Sequence, residues 1–175
     1  GLSADDCQFV DVGFDLLTAT TTGQVDATTG NMVNHEVPQL EEEGFDINYF
    51  YPTDYGVPPS YERVFLAGKD AVDKNPEKIE KFLRACRKGF DFMKENPEEA
   101  LQILLDHQNE ENFPLSKTVE TKSMEILLPV METEDAKFLS QDVSVWQNNA
   151  DWMYENGILK EKTDVSFLVK NLLDE

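Results

Sequence analysis

The chain has 175 residues, 40% of them hydrophobic, and 15 basic against 35 acidic side chains give it a formal charge of −20. Such a polyanion, with a pI near 4.3, repels nucleic acid and anionic membranes alike, so a nucleic-acid function is excluded and the excess acid reads as a solubilising surface. The length fits one ordinary domain or two small lobes, with enough apolar content for a core.

Cys7 and Cys86 are the only cysteines, which leaves neither a disulfide framework nor a metal-spaced cluster. No run approaches the roughly 18 apolar residues of a membrane helix. The start GLSADD has neither a basic n-region nor an apolar h-region, and a first residue of Gly1 rather than methionine leaves the question of a leader open.

In chain order, CQFVDVG at 7–13 is a short β-like run, and Leu16, Leu17 and Ala19 then fall at helical spacing with Gly23 as the stop. Val25 to Thr29 reads as a second strand. Strand, short helix and strand in about 20 residues form a βαβ unit, which predicts parallel strands. After Gly30 a helix is expected, with Val33, Val37 and Leu40 on one side, Pro38 in its first turns and EEEG at its end.

DINYFY at 46–51 alternates as a third strand, PTDYGVPPS at 52–60 is turn chemistry, and YERVFLA at 61–67 is the fourth and last strand candidate. From Asp70 the chain is helical. Asn75-Pro76-Glu77 and Asn96-Pro97-Glu98 each place an asparagine cap, a proline at N1 and acid in the first turn. Ile79, Phe82, Leu83, Cys86, Phe90 and Met93 form the apolar stripe of the first helix, and Ala100, Leu101, Leu104 and Leu105 that of the second.

Ser116 caps a third helix bearing Val119, Ile126 and Leu127, which Pro129 kinks or ends. A fourth runs from about Val145 to Glu155, with Trp146 and Met153 seven apart and Asn156-Gly157 as its stop. Ser166 to Leu173 is a last short helix. The class is α/β, with a short, mostly parallel sheet in the first 67 residues and a helical C-terminal half.

Catalytic motifs are absent: there is no GxGxxG, P-loop, GxSxG or HExxH, and no cofactor or metal is expected. His107, near a helix end, reads as a partner of the helix dipole. His35 and Glu36 are adjacent, so on a helix they would point about 100° apart and not converge. Asn31, Asn34 and Glu36 offer donors and acceptors at the start of the expected second helix, at a strand end, while Tyr49, Tyr51, Tyr55 and Tyr61 offer flat surfaces. A carboxylate beside aromatic rings suits an amino-bearing heteroaromatic ligand. A capped helix with ordinary core tyrosines accounts for the same residues equally simply.

GQVDATTG, the Asn34-His35-Glu36 triplet followed by LEEEGF, the DYGVP…YE turn, NPEKIEKFLRACRKGFDFMKENPEEA and WQNNADWMYENGIL together decide the matter. In these motifs the chain resembles the C-terminal part of an ABC-transporter solute-binding protein. The VDA…E…EG and NPE…A motifs are general to the nitrate, sulfonate and taurine binding family. NHE and DYGVP narrow the resemblance to the branch binding thiamine pyrimidine precursors, hydroxymethylpyrimidine or its formylamino analogue, related in fold to the fungal pyrimidine synthases.

The resemblance covers nearly the whole chain and implies a type II periplasmic-binding-protein fold, with two α/β lobes trapping ligand by hinge closure. On it, residues 1–62 build most of lobe two, 63–74 cross over at the hinge and 75–175 pack on lobe one. The N-terminal half of the family fold is absent, which leaves Phe82, Cys86 and Phe90 without their usual partner and a covering homodimer open. Glu36 is implied to read the pyrimidine amino edge, with Asn31 and Asn34 beside it and Tyr55 and Tyr61 near the cleft. Met32 stands where the family often carries an aromatic, and Glu62 is either a ligand contact or a structural acid beside the hinge.

The implied partners are a small pyrimidine-like ligand and an ABC permease, and the implied location is the extracellular face of the membrane, as a lipoprotein, or the periplasm. Two alternatives stand beside a non-catalytic binding protein: a fragment of a synthase-like enzyme, and a sulfonate- or nitrate-type anion binder.

Overall fold

Helix boundaries in the computed structural model, which describes residues 3–109, 111 and 114–173, follow the capping chemistry of the sequence closely. Among these residues the α-helices are α1 Leu16–Thr21, α2 Glu36–Glu42, α3 Lys69–Lys74, α4 Pro76–Glu95, α5 Pro97–Asp106, α6 Lys117–Met131 and α7 Val143–Glu155. Short 3₁₀ turns stand at Pro52–Tyr55 and Ser166–Leu168. The last of these replaces the longer helix expected to reach Leu173.

Gly23 and Gly157 end α1 and α7 in the left-handed region, at φ 70° and 73°. There the Gln24 N–H donates to the Ala19 carbonyl and the Ile158 N–H to the Met153 carbonyl, satisfying acceptors the helices leave open. At the other end of α7 the Asp142 carboxylate accepts from the Ser144 N–H at 2.7 Å, which starts the helix two residues before the expected Val145. Ser116 accepts from the Val119 N–H at 3.4 Å and caps α6 as expected. Pro129 lies inside that helix, which ends at Met131. Asn75 does occupy the position before α4, but its side chain makes no cap bond; its backbone carbonyl accepts from Lys78 and Ile79 instead.

The four strand candidates find no support among the described residues. Among the described residues the runs 7–13, 25–29, 46–51 and 61–67 carry no strand. Alternating apolar residues describe a pleat that suits a ladder, but a strand exists only when a second backbone takes up its N–H and C=O groups. These runs do not pair with one another, and Phe9 (84% exposed), Phe50 (71%) and Leu66 (91%) stand out to solvent.

Two compact units divide the chain, Gly1–Asn48 with Leu104–Leu127, and Tyr49–Ile103 with Leu128–Glu175. In the first, Ala19, Val37, Pro38, Leu40 and Val119 are buried. Burying each of the larger aliphatic side chains is worth about 1.5–3 kcal/mol. In the second, Phe90 of α4 stacks on Phe138 with centroids 4.3 Å apart, and Arg87 donates to the Phe138 carbonyl. Phe90 thus has a partner that the resemblance did not lead one to expect, while Phe82 meets Phe65 edge-on and stays 52% exposed.

Lys94 donates to Glu132 at 2.8 Å; this bond, joined by the Phe138 N–H, holds the Glu132 carboxyl below the usual carboxylate range, and it raises the Lys94 ammonium. A lowered carboxylate contributes stability above the range where the unfolded residue titrates and loses it as pH falls through the folded value. The raised lysine sets the alkaline limit, where the contribution fades as pH rises through its folded value. Glu132→Gln should therefore lower the urea midpoint at pH 7 and lower it less at pH 3, and an equal loss at both would contradict this linkage. Gly157→Ala meets no neighbour within 4 Å, so its cost is backbone strain alone, about 1–2 kcal/mol in urea denaturation.

Candidate functional site

The turn 31–35 leading into α2 is closed by a reciprocal exchange at Met32. The Met32 carbonyl accepts from the N–H groups of His35 and Glu36, and its own N–H donates to Glu36 Oε2 at 2.6 Å. This exchange holds the segment as a turn, so α2 starts at Glu36 and not just after Gly30 as the spacing predicts. His35 consequently takes φ −126° and ψ −67° outside the helix, and the expected divergence of His35 from Glu36 does not hold. Its Nδ1 lies 4.0 Å from Glu36 Oε1, and its Nε2 lies 3.6 Å from Glu120 Oε1 of α6.

Asn34 points at the same face of α6, donating to the Ser123 hydroxyl at 2.8 Å. Glu120 and Ser123 are three apart, one helical turn, so both meet the 31–36 turn from one side. At the far end of α2, Glu42 accepts from the Ser116 hydroxyl and Glu41 from Lys122. Asn31 donates to Thr28 Oγ1 at 2.7 Å, and Thr28 in turn shares a hydrogen bond with Thr20 of α1. Within this unit the structure brings Asn34 and His35 against Ser123 and Glu120 of α6, with Glu36 beside His35, while Asn31 turns to Thr28.

The other three expected residues, Tyr55, Tyr61 and Glu62, belong to the second unit. Tyr55 closes the 3₁₀ turn before Gly56, is 74% exposed and meets Phe50 edge-on at 5.2 Å. Glu62 is exposed. Tyr61 borders a cleft of about 310 Å³ lined mainly by apolar groups of Trp146, Ala150, Met153, Leu159 and Val165. Its hydroxyl accepts from the Asp142 N–H at 2.7 Å, Trp146 donates to Gln141, and Asn149 donates to the carbonyls of Pro59 and Val145. With these polar groups engaged internally, the cleft anchors the 59–61 segment on α7. The seven-residue spacing of Trp146 and Met153 anticipated that face.

Glu120 and Ser123 were not legible as site residues, because nothing local marks them: they lie more than 80 positions from the turn they hold. Among the described residues no group of three or more His, Cys, Asp and Glu side chains is placed to hold a metal ion, and no helix is long and apolar enough to cross a membrane. Ser123 is only 6% exposed, so removing its partner strands a buried hydroxyl. Asn34→Ala should cost about 1–3 kcal/mol, and a double-mutant cycle with Ser123→Ala should recover most of the loss, read from urea midpoints.

Residues 1–100 match the NMT1/THI5-like family. The chain is 44% identical over 144 residues to the formylaminopyrimidine-binding protein of Halalkalibacterium halodurans, covering 82% of this chain and 44% of that protein. It is 31% identical over 160 residues to a Haemophilus influenzae protein provisionally named for thiamine biosynthesis, covering 91% and 48% respectively. The chain thus spans a little under half the length of these two relatives. The family match over more than half of its residues, with the periplasmic-binding-protein fold it implies, establishes that this chain belongs to the NMT1/THI5-like family.

Proposed function

We propose that the protein carrying this chain is the solute-binding component of an ABC importer and takes up a thiamine pyrimidine precursor of the formylaminopyrimidine type. What carries the reading is the 44% identity to a protein named for binding formylaminopyrimidine, together with a half-buried carboxylate suited to that chemistry. Glu36 has one oxygen held by the Met32 N–H, while Oε1 accepts no hydrogen bond from the described residues. That oxygen is the acceptor for an exocyclic amino group, with Asn34 and Asn31 in the turn that precedes it. Tyr55, Tyr61 and Glu62, which belong to the second unit, are named by the family resemblance alone.

A carboxylate in this position repels anions, which disfavours a sulfonate or nitrate ligand. The protein acts as a binding protein and not as an enzyme on this reading, for which the relative's name is the support. Its place is the outer face of the membrane or the periplasm, with an ABC permease as partner. In the whole protein the runs 7–13, 25–29, 46–51 and 61–67 are strands of the family's sheet.

Isothermal calorimetry on the whole protein with the formylamino- and hydroxymethylpyrimidines tests the assignment. Binding of either is expected, and Glu36→Gln should weaken it about tenfold or more, the worth of a charge-assisted hydrogen bond lost to a buried site. Absence of binding at millimolar ligand would sink the pyrimidine assignment, and undiminished affinity of Glu36→Gln would remove Glu36 from the site.

A further inference from the structure

We propose that Ser123 of α6 is a positioning residue for the ligand's carboxylate acceptor, acting on Glu36 through Asn34; this rests on the reading of Glu36 as that acceptor. A short series of hydrogen bonds makes the connection. The Met32 N–H donates to Glu36 Oε2 at 2.6 Å, and the Met32 carbonyl accepts from the N–H groups of His35 and Glu36. Asn34 lies inside the turn closed in this way and donates to the Ser123 hydroxyl at 2.8 Å.

The bonds at Met32 and the bond at Asn34 do different things. Those at Met32 fold the Glu36 side chain back onto its own turn and so fix the carboxylate relative to residues 32–36. They leave the placement of the turn itself open. The Asn34 bond supplies that placement, because it ties the middle of the turn to a helix 89 positions further along the chain. The Asn34 amide nitrogen is thereby committed to Ser123, and Asn34 serves the ligand by placing Glu36.

The further polar links between α2 and α6 lie at the far end of α2, where Lys122 is 3.1 Å from Glu41 and Glu42 accepts from the Ser116 hydroxyl. Both links are exposed, so solvent competes for them. Ser123 is only 6% exposed, and without Asn34 its hydroxyl is left unpaired where water barely reaches. Burial of Val37, Pro38 and Val119 in the same unit is non-directional and does not by itself select one placement of a turn. A carboxylate, by contrast, reads an amino group only while distance and angle hold. Loss of the Ser123 anchor therefore lets the turn shift as a body and carries the Glu36 oxygen away from the amino group it reads.

The test is calorimetry on the whole protein with two probes, a formylaminopyrimidine and its analogue carrying hydrogen in place of the exocyclic amino group. It is run on the wild type, Ser123→Ala, Asn34→Ala, the double variant and Glu36→Gln. The wild type should prefer the amino-bearing probe about tenfold or more. Ser123→Ala and Asn34→Ala should each cut that preference about fivefold, and the double variant no further, since both remove the same bond. A general loss of affinity for both probes with the preference unchanged is what a merely structural Ser123 predicts, and it would overturn the proposal. Full preference in both single variants would do the same. If Ser123→Ala does not fold, Asn34→Ala removes the same bond from its half-buried end and decides the question alone. Full affinity in Glu36→Gln, or no preference in the wild type, would instead take down the reading of Glu36 as the contact and the positioning role with it.

Discussion

The hydrogen bond from the Asn34 amide to the Ser123 hydroxyl is the constraint on which the first unit's polar face depends. It joins residues 89 positions apart and ends on a hydroxyl that solvent barely reaches. A buried polar group without a partner is costly, so the turn 31–36 can dock on α6 only in a register that supplies one. That register brings His35 to Glu120, one helical turn away. Two side chains adjacent in sequence thereby take their directions from one helix far along the chain, while Glu36 is held by the Met32 N–H.

The second unit solves a different problem. Its aromatic and amide groups are spent on joining segments: Tyr61 to the start of α7, Asn149 to Pro59, and Phe138 to α4 through Phe90 and Arg87. The cleft beneath Tyr61 is mainly apolar because the polar groups around it already have partners. A ligand entering it would find apolar surface to cover but few unengaged polar groups to fix its orientation. Glu36 differs: among the described residues its Oε1 lies 4.0 Å from the His35 imidazole and accepts no hydrogen bond.

On the proposed reading, Glu36 supplies the acceptor that an amino-bearing ligand needs. A carboxylate accepts hydrogen bonds and donates none when ionised, so it selects amino-bearing ligands over anions. The strongly acidic composition adds to that discrimination, since a field of like sign repels an anionic solute before it arrives.

The sequence by itself determined the helices. The stops at Gly23 and Gly157, the prolines opening α4 and α5, the Ser116 cap and the Trp146–Met153 face were all legible, because capping and helical periodicity act within four to seven residues. The family, and Glu36 and Asn34 as candidates, were legible too, through local motifs. Tertiary structure alone decided the rest. Whether an alternating run becomes a strand depends on a second backbone, and the four expected strands carry no ladder among the described residues. Whether His35 and Glu36 converge depended on the 2.6 Å bond from Met32 to Glu36, which keeps His35 out of the helix. That Glu120 and Ser123 hold the turn is a contact across more than 80 residues, and no pattern within a helix records what lies against it.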